Sequence, residues 1–181
     1  MSNNLIVRNC RLSYANVFEP RSFNGSPEKY SASLLIPKGD KTTLNEIKAA
    51  IKQAAELGKE KFGPKWEARQ LPLRDGDAEN KGAEYAGMLF LNAKSSTAPG
   101  IVDRHARRIM DPTEVYSGCW ANVSVQFYAY NRSGNQGIAV GLGNIQKVRD
   151  DESFDGRTRA EDEFTALDDD EAADGLDDLL G

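Results

Sequence analysis

From Cys119 to Tyr130 the chain alternates strictly. Cys119, Ala121, Val123, Val125, Phe127 and Ala129 are apolar, and Trp120, Asn122, Ser124, Gln126, Tyr128 and Tyr130 stand between them. Successive side chains on a strand point to opposite faces, so the pattern predicts a strand over 113–130 with one face on a core and the other outward. Strands are also predicted over 5–14, over 29–37 (Tyr30, Ala32, Leu34 and Ile36 against Ser31, Ser33 and Leu35), over 85–94 and over 137–148. One helix interrupts them. Leu44, Ile47, Ile51, Ala54 and Leu57 share a face at spacings of three and four, Thr43 and Glu46 fit a capping box, and Gly63-Pro64 supplies the stop. Residues 15–28, 64–84 and 95–112 read as long loops, and 131–137 (NRSGNQG) as a hairpin connection. The elements add up to a small, mainly β barrel or sandwich with one amphipathic helix.

Charge changes this picture. The 181 residues carry a net charge of -5, but the signs are segregated. Residues 150–181 hold fourteen Asp and Glu and only Arg157 and Arg159, whereas residues 1–149 hold twenty-one Lys and Arg against fourteen Asp and Glu. A basic body with an acidic tail points to a polyanionic partner. The tail is poor in aromatics and dense in carboxylates, the composition of a disordered segment. Phe164, Leu167, Leu176, Leu179 and Leu180 punctuate it, as in short peptides that dock on partner proteins. Cys10 and Cys119 each fall in an apolar strand pattern and are expected to be buried free thiols. The N-terminus turns polar after three apolar residues, and no apolar run approaches a membrane span, so an intracellular protein is expected.

The residues offer little to catalysis. His105 is the only histidine, and its neighbours Arg104, Arg107 and Arg108 suit phosphate contact better than general-base work. The GLG at 141–143 sits in a strand-like segment and lacks the helix that a phosphate loop requires. No metal-ligand spacing or nucleophile elbow occurs, and no enzyme activity, cofactor or metal is expected.

Readers of single-stranded nucleic acid combine basic side chains that follow phosphates with aromatic rings that stack on bases. Trp120, Tyr128 and Tyr130 supply rings on the outward strand face, with Asn122, Ser124 and Gln126 between them. Phe18 and Phe23 flank Arg21 in a loop, and Trp66 lies between Lys65 and Arg69. Arg104, Arg107 and Arg108 are the leading candidates for phosphate contact, followed by Arg21, Lys65, Arg69 and Lys94. Two plainer readings stay open: outward rings also serve as cross-strand partners, and scattered lysines also form an ordinary solvated surface. A tethered polyanion can visit the same basic groove as phosphates, so the tail is expected to compete with nucleic acid and, once displaced, to recruit other proteins.

Several ordered segments carry a resemblance. SYANVFEP (13–20), YSASLLIPK (30–38), EVYSGCWANVSVQFYAY (114–130), GIAVGLGNIQKVRD (137–150) and GRTRAEDEF (156–164) together resemble a family of phage-encoded single-stranded DNA-binding proteins. The resemblance spans most of residues 4–165 and implies an OB-fold, a five-stranded barrel; with the charge division, the domain is expected over residues 1–149 and the acidic tail over 150–181. It implies a non-catalytic protein that coats single-stranded DNA in phage replication or recombination, in the cytoplasm of the bacterial host. Phe18 and Phe23 would close over a strand stacked on Trp120, Tyr128 and Tyr130. Replication or recombination proteins would dock on the tail, and a homodimer is left open. This tail ends DDLLG where many such tails end in an aromatic residue, so Leu179 and Leu180 would have to substitute. The alternative is an assembly factor whose aromatic face is a subunit interface. The helix falls between the second and third strands, whereas an OB-fold usually places it between the third and fourth.

Overall fold

In the computed structural model, residues 4–22, 24–154 and 163–167 are described. Their elements in chain order are β1 (Asn4–Arg21), β2 (Lys29–Pro37), α1 (Lys41–Phe62), β3 (Arg74–Asp75), β4 (Met88–Ser95), β5 (Ile101–Val102), β6 (Trp120–Arg132) and β7 (Asn135–Arg149). The alternating segments pair antiparallel as β4 with β2, β2 with β1, β1 with β6, and β6 with β7. A short parallel pairing of β4 with β7, at Ala93–Val140 and Lys94–Gly141, closes the circle. The result is the closed, OB-like five-stranded barrel that the resemblance implied. β3 adds to the β4 edge, and β5 pairs parallel with β7.

The inward residues of each strand fill the barrel. Leu12, Leu34, Leu91, Val123, Phe127 and Ile145 are all at most 1% exposed, and burying a side chain of this kind stabilises by about 1.5–3 kcal/mol. Cys10 and Cys119 are buried free thiols as expected, and burial pushes the Cys10 thiol up to about 12. The Cys10 Sγ donates to the Ala121 carbonyl at 3.3 Å.

α1 lies between the second and third long strands and packs against β6 and β1. Its N-cap is Asp40 rather than a Thr43/Glu46 box: Asp40 accepts from the Thr43 backbone N–H at 3.2 Å and from its hydroxyl at 2.8 Å. Leu44, Ile47, Ala50, Ala54 and Gly58 form the buried stripe, and Leu57, expected there, is 42% exposed. Gly58 takes the inner place because the Trp66 ring lies against it; a Cβ at that position would meet the ring at 2.6 Å and the Ala129 methyl at 2.7 Å.

Four expected boundaries move. β4 begins at Met88 rather than at residue 85, after a 3-10 turn over Ala83–Tyr85. β1 does not stop at residue 14 but runs to Arg21, bent by register shifts after Val7 and after Ser13, with Asn9 and Tyr14 at positive φ. The bends let one long strand pair with β6 by its first half and with β2 by its second. β6 begins at Trp120, because 112–114 is a 3-10 turn opened by Pro112. The β6–β7 hairpin is tighter than expected, a two-residue turn with Ser133 and Gly134 at φ 52° and 90°. Beyond β7, residues 150–154 stay in contact with the barrel. Of the expected tail, Phe164 and Leu167 are exposed, and residues 155–162 and 168–181 lie outside the described residues. No helix among the described residues is long and apolar enough to cross a membrane.

Candidate nucleic-acid interface

The outward row of β6 borders an unusually low neighbour. β7 sets Gly137, Ala139 and Gly141 against Tyr130, Tyr128 and Gln126 in register, and Gly143 lies against the Ser124 hydroxyl. The two strands therefore make a trough with tall polar and aromatic side chains along one side and a smooth floor along the other. At the hairpin end, Tyr128 is 41% exposed. Tyr130 is fixed, its hydroxyl donating to the Gln70 Oε1 at 2.8 Å. Both rings line a recess of about 480 Å³ with Lys29, Lys94, Arg132 and Arg74, the last paired with Glu79.

Lys94 turns the corner into a second groove of about 300 Å³ across the outer faces of β2 and β4. Ser31, Ser33 and Asn92 floor it, and Arg21, Lys81 and Tyr14 rise around it. Tyr14 has a φ of 47°, a conformation uncommon for a bulky residue, and its side chain is turned out into solvent, 65% exposed. Backbone strain of this kind clusters at binding sites. Further along β6, Lys94, Ser124, Gln126, Gly141 and Gly143 share a third recess, which meets a fourth at Ser124. The fourth lies between β1 and β5 and holds Arg8 and Arg108.

Trp120 sits apart, at the start of β6. Its indole N–H donates to Asp151 Oδ2 at 2.8 Å, and the Arg149 guanidinium lies 4.5 Å from the ring centre. Asp151 also pairs with Arg11 and Arg149, each at 3.6 Å, while its backbone N–H donates to the Tyr116 hydroxyl at 3.0 Å. The indole N–H, the Glu152 backbone N–H and the two guanidiniums hold the Asp151 carboxyl below the usual carboxylate range. Three residues on, Phe154 packs on the Leu35, Tyr85 and Phe90 cluster under the Arg11 guanidinium. Tyr85 and Phe90 also line the Tyr14 groove, so residues 150–154 form a clasp that ends beside it.

This is an OB-type barrel whose outer face carries a connected, largely basic set of grooves with exposed tyrosines. Residues 3–176 match the family model described as Enterobacter phage Enc34, ssDNA-binding protein. The chain belongs to that family. A relative, "Putative protein p50" of Acyrthosiphon pisum secondary endosymbiont phage 1, is 32% identical over 166 residues, covering 83% of this chain and 85% of its own. The single-stranded DNA-binding protein from bacteriophage Enc34, solved in complex with ssDNA, superposes with a TM-score of 0.76 at 27% identity, covering 84% of this chain and 89% of that one. The single-stranded DNA-binding protein gp2.5 of bacteriophage T7 superposes at 0.61 with 16% identity, covering 87% of this chain and 98% of that one, a likeness of fold.

In this member of the Enc34 family, the structure gathers Tyr128, Tyr130, Lys94 and Arg21 around the connected grooves and places Arg108 in the recess between β1 and β5. It does not bring Trp120 into a recess with the two tyrosines; that ring belongs to the clasp. Phe18 is half-buried against the core, and Phe23 lies outside the described residues. Trp66, noted in the sequence between Lys65 and Arg69, is 2% exposed and donates its indole N–H to the Tyr130 carbonyl at 3.1 Å. Arg104 and Arg107 are exposed on a turn tied by Asp103, whose carboxylate accepts from the His105 and Arg107 backbone N–H groups. The Arg107 N–H is the main cause that lowers the Asp103 carboxyl below its usual range. Lys65 and Arg69 are exposed and line none of these grooves, Arg69 3.8 Å from Glu67. The residues that sequence reasoning missed are Tyr14, Lys29, Lys81, Arg132 and Arg8. Tyr14 closed a predicted strand and the others were isolated charges, and no periodicity marks such positions.

Proposed function

We propose that this protein binds single-stranded DNA on the outer face of its barrel, as a non-catalytic coat for strands exposed in phage DNA replication. One observation carries the reading: Lys94 stands where three grooves meet, with the exposed Tyr128 on one side and the exposed Tyr14 and Arg21 on the other. Cations at such a junction follow phosphates, and flat rings beside them accept bases of any identity. The relative solved with ssDNA supports the same ligand class. The acidic tail is a competitor in this reading. Phe154, the last described residue before it, packs on Tyr85 and Phe90, which also line the groove of Arg21, Lys81 and Lys94. The tail's carboxylates compete with DNA for the basic groove, and the displaced tail then recruits replication or recombination proteins.

The test is a fluorescence-anisotropy titration of labelled oligo-dT and a matched duplex at two salt concentrations. Binding to the single strand that is tight and falls steeply with salt, with much weaker duplex binding, is the expected result; log K should drop with log salt by about 0.7 per phosphate contact. Absence of single-strand binding, by the full chain and by one ending at residue 154, overturns the reading.

A further inference from the structure

The arm that carries the basic cluster has a defined place in the fold. After β4 the chain crosses over, lays β5 parallel to β7 at Ile101–Ile145 and Val102–Gln146, and returns with Arg108 bridged to Val102. The sheet order here is β1, β6, β7, β5, so β1 forms one wall of a cleft and the β5 arm the other, with β6 and β7 as the floor. The cleft measures about 360 Å³. Arg8 stands on the β1 wall and Arg108 on the arm, both exposed, and neither is ion-paired with another described residue. The exposed Ile6 gives the wall an apolar part, and the Asn122 and Gln146 amides, bonded to each other at 3.0 Å, give the floor a flat polar one.

This cleft is continuous with the Tyr128 recess. The outward row Tyr130, Tyr128, Gln126, Ser124, Asn122 leads from one to the other past Gly141 and Gly143, with a register shift at Ser124, whose hydroxyl lies over Gly143 and accepts from the Asn144 backbone N–H at 2.7 Å. From Tyr130 to Asn122 the row spans roughly 26 Å at about 3.3 Å per residue.

We propose, resting on the single-stranded DNA reading above, that the bound strand runs on along the β6–β7 trough into the cleft between β1 and the β5 arm, where Arg8 and Arg108 take the phosphates of a further stretch of nucleotides. The occupant follows from charge complementarity and from continuity with the tyrosine recess. Two guanidiniums that are not ion-paired with any other described residue line one cleft with a polar floor, an arrangement suited to a phosphodiester backbone. The arm is then the device that lengthens the site, and binding has a length threshold set by the distance from the tyrosines to the arginines.

The experiment is anisotropy titration of labelled dT oligomers of increasing length, with the full chain, with Arg8→Gln/Arg108→Gln, and with a charge-matched control, Lys48→Gln/Lys52→Gln, on the exposed face of α1. The parent should gain affinity with length in two stages. The double arginine variant should keep parental affinity for oligomers that fill only the tyrosine recess, lose about tenfold on longer ones, and show a salt slope shallower by about 1.4 there, two contacts at about 0.7 each. The lysine control should follow the parent at every length. An arginine variant that matches the parent at all lengths, or that loses the same factor at all lengths as the control does, overturns the second subsite while leaving the first reading intact. A parent chain that binds no oligomer overturns both.

Discussion

Tyr128 and Trp120 point to the same side of β6, but one ring is open beside Lys94 and the other has its N–H on Asp151 and a guanidinium over its face. Stacking of a base on an exposed ring is worth about 1–3 kcal/mol, so Tyr128→Ala should weaken oligo-dT binding by about tenfold or more, alike for all base compositions. Trp120→Ala should weaken it less and should instead lower the melting temperature; equal losses in a titration of the two variants would contradict this division. Asp151 supplies a pH signature. Its carboxyl titrates below the ordinary value in the folded chain, so its charge stabilises the fold above the ordinary carboxylate range, and that contribution disappears as the pH falls through the lowered value. Urea melts should find Asp151→Asn less stable than the parent at neutral pH, with the gap closing as the pH falls below the ordinary carboxylate range. A gap that does not change with pH would mean the charge contributes nothing.

At the scale of elements, α1 and its partner loop are fitted around a missing side chain. An exposed helix interior gains about 1 kcal/mol when glycine becomes alanine. At position 58 the new methyl would lie 2.6 Å from the Trp66 ring and 2.7 Å from the Ala129 methyl, so the sign reverses. Gly58→Ala should cost about 1–3 kcal/mol in urea denaturation, and a stabilised variant would refute the packing described. The five long strands and the helix were legible because β6, β2 and α1 carry clean periods, and a period reports which residues face a common side. A period does not report what covers that side. Trp120 reads like Tyr128 in the sequence, and only the return of Asp151 separates them. Trp66 lies between Lys65 and Arg69 in the sequence, yet Gly58 opens a place for it in the core. Tyr14 escaped for the opposite reason: the register shift that turns it outward breaks the alternation, so the strand was predicted to end there.

For the whole molecule, the division between body and tail has a structural consequence. Cutting at residue 149 would remove the clasp together with the carboxylates, whereas ending the chain at Phe154 keeps Asp151 on Trp120 and Phe154 on its cluster. The chain ending at 154 should bind oligo-dT more tightly than the full chain at low salt, with the difference shrinking as salt screens the tethered charges. Equal affinities at low salt would remove the tail as a competitor. The central claim is the location of the strand on the barrel, and zero-length photo-cross-linking of an iodouracil-substituted single strand, mapped by mass spectrometry, tests it most directly. The account predicts adducts at Tyr128 and Tyr14, with Tyr130 as a further site. Adducts confined to Trp120, or to the exposed face of α1, would place the DNA elsewhere and contradict it.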